Sequence, residues 1–479
     1  MPIDTILNIA AKIDSVLWGP WTMIFLAAVA LFFTIKFRFF QFRRFGFIWR
    51  NTFGKIFEKR IVRDKGKMTP FQATTTALAS TVGMGNIAGV ATALSVGGPG
   101  AIFWMWLLAL LGMITKTVEI TLAVHYRESD QEGGLHGGPM YYINKALGWK
   151  TLAKLFSMGV FINSILCATL LQSHTVGRAF LTSYEWNPYL VTAAMAVITG
   201  IVVIGGFRRI GQFSEKLVPI MAVVYLICGV IIFIINYAKI PEVFAMIFQY
   251  AFSPAPAVGG FAGVTVAAAI KNGMARGMLS NEAGEGTAPM VHATANTDHP
   301  FQQGMWGAFE VFVDTMLICT ITAFAILSTG ALAAGQSGID LVITAFSAVF
   351  PQNLAEAIIS FCILAFCLTT QIGFFIYYET SIINLFGRKA MRWLKWVYLI
   401  PGIVFAGVTN VDGLWIFANI AVGTCAIPNL IALLALTGAF LLLMKDYLSG
   451  KNKYATAVID STHQYVKVPK KRTPGVSMP

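Results

Sequence analysis

Two stretches of this chain set glycine among polar residues inside otherwise apolar surroundings, Thr81-Val-Gly-Met-Gly-Asn86 and Lys271-Asn-Gly-Met-Ala-Arg-Gly277. Glycine lets a helix unwind. Backbone that leaves a helix inside a membrane exposes N–H and C=O groups that must find partners. In the first stretch, the carbonyls of Thr81, Val82 and Gly83 could coordinate a cation. Met84 and Gly85 lead into a half-helix restarting near Asn86, whose positive end would face an anionic group such as a carboxylate. The second stretch, Asn272, Gly273 and Met274, would place another half-helix N-terminus at the same depth. A packing reading stands beside this one, because Gly85-Asn-Ile-Ala-Gly89 is also a small-xxx-small helix face.

Polar side chains inside apolar runs are the next candidates, since ionisable groups in a membrane mark function or a paired interior. Thr369 and Thr370 are adjacent hydroxyls that suit an all-oxygen site for sodium if they face the unwound carbonyls, and are unremarkable if they bond back to their own helix. Gln172 fits either a ligand contact or an interhelical bond. Asp314 fits either a cation or proton site or a buried hydrogen bond. Lys271 and Arg276 flank the second stretch, where Arg276 could reach the cytoplasmic interface and Lys271 is left as a coupling candidate. Lys116 and Glu119, three residues apart, read as a structural pair near a helix end. The six histidines lack metal-ligand spacing, and no nucleophile-elbow, Walker or zincin pattern is present, so neither an enzyme nor an ATP-driven pump is indicated.

The elements that must hold these residues follow from composition. Of the 479 residues, 56% are hydrophobic and 12% charged, and the apolar ones gather into runs long enough to cross hydrocarbon. An all-α integral membrane protein of about eleven transmembrane helices is expected, with spans near 18–37, 72–96, 101–124, 151–182, 189–205, 216–236, 258–285, 303–330, 353–385, 394–409 and 414–445. The six cysteines all fall in these segments and read as packing residues. The net charge of +13 does not describe a nucleic-acid-binding face, because the basic residues cluster between spans. Lys36 to Lys67, Arg127 with Lys145 and Lys150, Arg208 with Arg209, Arg388 to Arg392, and Lys445 all fall on one side of an alternating topology, whereas the opposite connections carry Lys239 alone. The positive-inside rule makes the basic side cytoplasmic, with the N-terminus outside and the C-terminus inside.

Setting aside the first helix leaves ten spans in two groups of five, and an odd number per group inverts one group relative to the other. The expected organisation is an N-terminal helix and basic loop over 1–70, a first repeat over 71–236, a second over 257–445 and a basic tail over 446–479. Interrupted first spans in both halves are the sequence sign of a binding site at the midplane of an inverted-repeat transporter.

Taken together, Thr76-Ala-Leu-Ala-Ser-Thr-Val-Gly-Met-Gly-Asn-Ile-Ala-Gly-Val-Ala91, Gly97-Gly-Pro-Gly-Ala-Ile-Phe-Trp-Met-Trp106, Gly137-Gly-Pro-Met-Tyr141, Arg276-Gly-Met-Leu-Ser-Asn-Glu-Ala-Gly284, Asp314-Thr315 and Pro428-Asn-Leu430 resemble the alanine or glycine:cation symporters. The resemblance spans roughly Phe71 to Leu442 and implies a leucine-transporter-like five-plus-five fold. It implies a small neutral amino acid as substrate, sodium or less often protons as driving ion, and ligand contacts at both breaks, at Gln172 and on the span of Thr370. The chain departs from the family at Met84, usually threonine, and at Gly373-Phe-Phe-Ile-Tyr377, where Phe374 replaces the usual tryptophan. Both positions fall on the implied pocket. A channel would require repeated polar rings, and a membrane sensor a sizeable soluble domain; neither is visible.

Overall fold

In lipid the backbone must satisfy its own polar groups, which makes helices of the apolar runs. The computed structural model describes residues 3–55, 68–129, 134–408, 411–450, 457–459 and 465–467. Most of the expected tail over 446–479, and residues 56–67 of the basic loop, lie outside the described residues.

Helix α1 (Ile3–Leu17) leads into α2 (Pro20–Lys36). The span expected at 72–96 is bent by 48° between α3 (Pro70–Thr81) and α4 (Gly85–Gly97). Then come α5 (Gly100–His125), α6 (Lys150–Tyr184), α7 (Pro188–Val203) and α8 (Gly206–Ile235). A short helix, α9 (Ile240–Phe252), precedes α10 (Val266–Asn281) and α11 (Pro300–Thr329). The series closes with α12 (Gly338–Ser347), α13 (Gln352–Phe386), α14 (Arg388–Val397), α15 (Val411–Ala435) and α16 (Thr437–Ser449).

Seven described helices are long and apolar enough to cross a membrane alone, or eight with the bent pair, against the eleven expected. The difference lies in shorter elements. α7 and α10 have 16 residues each, rising about 24 Å, and the region expected as one span at 394–409 is α14 followed by a five-residue helix, Ile400–Val404.

Local chemistry explains the bend and the end of α10. Thr69 caps α3 reciprocally with Gln72: its hydroxyl accepts from the Gln72 N–H at 3.0 Å and its own N–H donates to the Gln72 side chain at 3.1 Å. The helix runs from Pro70 until Val82 turns extended at ψ 90°. The second break is not at Lys271–Gly277, which is continuous helix within α10. Gly273 and Gly277 serve close packing instead: a Cβ on Gly273 would stand 2.3 Å from the Ala101 carbonyl oxygen of α5, and one on Gly277 3.2 Å from Met105. The chain leaves the helix after Asn281, where Glu282 (φ 54°), Gly284 (φ 94°) and Gly286 (φ 86°) are left-handed.

Two groups of contacts tie the connections together. In one, Arg127 donates to the carbonyls of Ala293 and Ala295 at 3.0 and 2.6 Å, Met68 pairs with Ala295, and Arg388 approaches His136 at 3.5 Å. In the other, Arg178 binds Asp340 at 2.9 Å and Ser95 meets Ser337 at 2.9 Å.

Candidate functional site

The unwound turn between α3 and α4 is held by a neighbour on each side. Gln172 of α6 accepts the Met84 N–H at 3.1 Å and donates to the Cys167 carbonyl at 3.2 Å. Thr370 of α13 donates its hydroxyl toward the carbonyls of Ala79, at 3.0 Å, and Val82, at 3.4 Å. Gly83 lies between them: a Cβ there would stand 2.5 Å from Thr370 Oγ1 and 3.1 Å from Gln172 Oε1. Only glycine fits. The Thr370 hydroxyl and the two carbonyls form a buried all-oxygen cluster of the kind hard cations prefer.

Thr369 does not share that position. Its hydroxyl donates back to Ala365 and Phe366, both at 2.9 Å, and lies 3.5 Å from Met221 Sδ. Thr81 likewise turns to its own helix, at 3.2 Å from the Ala77 carbonyl, with Glu310 at 3.5 Å. Phe374 sits one turn beyond Thr370, buried, with its ring 4.7 Å from that of Tyr377.

Asn86 ties the break to α11. Its Oδ1 accepts the Gly83 N–H at 3.0 Å and its Nδ2 donates to Asp314 Oδ1 at 2.7 Å. Asp314 Oδ2 accepts from Ser280 at 2.7 Å and Thr315 at 2.9 Å. Asp314 is therefore a junction of α4, α10 and α11 with three neutral donors. Three helices carry wide π turns at this point, Gly85–Gly89 in α4, Ser164–Leu171 in α6 and Phe312–Cys319 in α11, a feature common at functional sites.

Of the residues expected from the second stretch, none reaches this centre through the contacts observed. Gly273 lies seven residues before Ser280, about 10 Å along the helix axis, and faces α5. Asn272 donates to its own helix at the Ala268 carbonyl, 2.9 Å away, and Met274 is buried one residue beyond Gly273. Lys271 pairs with Asp14 of α1 at 3.5 Å and is partly exposed, which removes it from the interior. Arg276 does not extend to an interface: its guanidinium lies 3.8 Å over the Trp415 ring and donates to Asn419 at 3.2 Å.

In place of those residues, the turn that follows α10 carries a buried polar network. Lys116 donates to the Asn281 carbonyl at 2.6 Å and stands 3.7 Å from Glu310, so its partners are not Glu119. Glu310 also meets His292 at 3.1 Å. Glu282 accepts from Thr287 at 2.7 Å and Tyr377 at 3.2 Å, and Glu285 from Asn163 at 2.6 Å. Glu119 accepts from Asn429 at 2.5 Å, and Tyr142 donates to that same Asn429. All are buried, facing the protein interior as ionisable groups within a membrane do. The available signal was the acidic residues Glu282, Glu285 and Glu310 beside or within apolar runs.

A bent membrane helix gripped at its unwound turn by two other helices is the arrangement that secondary transporters build around a midplane site. MhsT in complex with L-phenylalanine shares the fold, with a TM-score of 0.56 at 14% identity over 79% of this chain and 90% of that one. The profile of the sodium:alanine symporter family matches residues 3–461, and the chain belongs to that family. The sodium/alanine symporter AgcS of Methanococcus maripaludis is 34% identical over 440 residues, 90% of this chain and 95% of that one. The probable sodium/glutamine symporter GlnT of Bacillus subtilis is 35% identical over 447 residues, 93% of this chain and 91% of that one.

Proposed function

We propose that the protein imports a small neutral amino acid, alanine or glycine, together with sodium by alternating access. The observation that carries this reading is the wedge of Gly83 between Thr370 and Gln172. On the Thr370 side, the Ala79 and Val82 carbonyls and the hydroxyl provide the oxygens that replace water around sodium. Of the four residues expected at the ion, Val82 and Thr370 are kept in this reading, whereas the hydroxyls of Thr81 and Thr369 bond back to their own helices. On the Gln172 side, the amino-acid carboxylate enters at Gly83, Met84 and Gly85 by displacing Gln172 from the Met84 N–H, with Asn86 keeping the Gly83 N–H and holding the turn and Phe374 closing the far wall. The near approach of backbone leaves little room for a large side chain. The basic face lies in the cytoplasm, the N-terminus outside.

A second substrate reading, serine or glutamine, is favoured by Phe374, whose ring is smaller than the indole usual there, and by the glutamine named for one relative. Proton coupling is the alternative to sodium, with Asp314 as its carrier. Reconstituted protein given labelled alanine, glycine, serine and glutamine, with and without a sodium gradient, separates these readings. Sodium-driven alanine or glycine uptake that outcompetes glutamine is the expected result. Uptake indifferent to sodium but driven by a pH gradient would overturn the ion assignment, and glutamine preference the substrate.

A further inference from the structure

Away from both breaks, a cavity of about 630 Å³ opens on the basic face between the α7–α8 turn, the end of α13 and α14. α14 places Arg388, Met391, Arg392 and Lys395 at i, i+3, i+4 and i+7, one stripe of a helix. All four line the cavity. Arg388 and Arg392 are exposed and Lys395 is half-buried, and all three border a cleft whose other wall includes Phe207 and Phe375. The opposite side of α14 presents Trp393, 80% exposed, and Trp396, 50% exposed. Indoles at such exposure belong at headgroup level, so α14 lies in the interface with its cationic stripe at the rim of the cavity.

We propose that this cavity binds the phosphate headgroup of an anionic phospholipid. Arg388 and Arg392 offer planar forks that match phosphate oxygens, and Lys395 adds a third positive charge. Among the described residues one carboxylate, Glu379, lines the cavity along with His136, leaving the cations in excess. A free anion would use the cations alone. The apolar wall of Phe207, Phe375 and Met391 matches the glycerol and first acyl methylenes of a lipid, which is why the lipid is the occupant. The site joins α8 to α13, the helix that carries Thr370, so an occupied cavity braces the helix of the ion cluster from its other end.

Native mass spectrometry of the full chain, titrated with phosphatidylglycerol or phosphatidylcholine, tests this directly. Phosphatidylglycerol should bind about ten-fold or more tightly, and inorganic phosphate should not displace it. The triple change Arg388→Ala, Arg392→Ala and Lys395→Ala should bind both lipids equally. Lys389→Ala, exposed on the same helix but not lining the cavity, should keep the preference. Met391→Trp fills the cavity with its charges intact and should lose the preference, which keeps the test usable if the triple variant misfolds. Equal binding of the two lipids by the parent protein overturns the proposal. So does a preference that survives either cavity variant, one abolished equally by Lys389→Ala, or displacement by inorganic phosphate.

Discussion

Gly83 and Thr370 share one small space, in which a Cβ on the first would come within 2.5 Å of the hydroxyl of the second. The two breaks of this transporter therefore differ in kind, since the first has no room for a side chain and the second is packed with acidic ones.

Gly83→Ala should abolish uptake while leaving the protein inserted, because neither the Thr370 hydroxyl nor the Gln172 amide can yield without giving up its bond to the turn. Gly85→Ala should be milder, as its nearest neighbour is Ser280 Cα at 3.4 Å. Parallel uptake assays on the two variants check the order; equal losses would show that the glycines act through flexibility rather than space.

Thr370→Val removes the hydroxyl at nearly constant shape. The ion then loses one of its oxygen ligands, so half-saturating sodium should rise about ten-fold or more. Thr369→Val should shift it less, given that its hydroxyl is already bonded within its own helix. A sodium titration in which Thr369→Val is the more damaging variant would reverse the assignment.

Lys116→Met leaves Glu310 buried beside His292 without its lysine and the Asn281 carbonyl without its donor. Removing one member of a buried ion pair costs about 3–5 kcal/mol. Melting in detergent should fall accordingly, and adding Glu310→Gln should recover part of the loss. A double variant no better than the single one would place the importance of Lys116 in its bond to Asn281 alone.

Phe374→Trp restores the bulk usual in the family. Uptake of glutamine or serine should weaken about ten-fold or more relative to glycine, since methylene-sized differences are worth about 1–3 kcal/mol. An unchanged rank order in competition assays would remove Phe374 from the pocket.

Orientation is accessible to labelling because all six native cysteines are buried. Cysteine at exposed Glu185 should react with impermeant maleimide from outside intact cells, and cysteine at exposed Lys389 only after lysis. The reverse pattern would invert the assigned topology.

The first break was legible because Gly83 and Gly85, with one residue between them, are flanked by threonine and asparagine inside an apolar run, a pattern that packing alone does not call for. The second was misplaced for a physical reason: Gly273 and Gly277 allow α10 to approach α5, and glycine that permits contact looks in sequence like glycine that permits unwinding. The real break depends on Glu282, Gly284 and Gly286 turning left-handed, with acidic side chains whose partners come from distant helices. Adjacent threonines presented a different ambiguity. Consecutive residues on a helix point about 100° apart, so when Thr370 faces the turn Thr369 cannot. The pairing of Lys116 with Glu310 instead of Glu119 required knowing that α5 and α11 lie side by side, information carried only by the tertiary fold.

The wide turns at Gly85–Gly89, Ser164–Leu171 and Phe312–Cys319 have a mechanical meaning. Each closes with bonds one residue longer than its neighbours and so stores a residue of slack. Slack of this sort can travel along a rod one bond at a time, as a wrinkle crosses a carpet, turning the portion it passes without melting it. Three rods with slack at one level can pivot about the cargo as camshafts do, each keeping its length. Amide hydrogen exchange should then be fastest at these three turns and slow together when substrate binds; uniform protection along the helices would mean that they move as rigid bars.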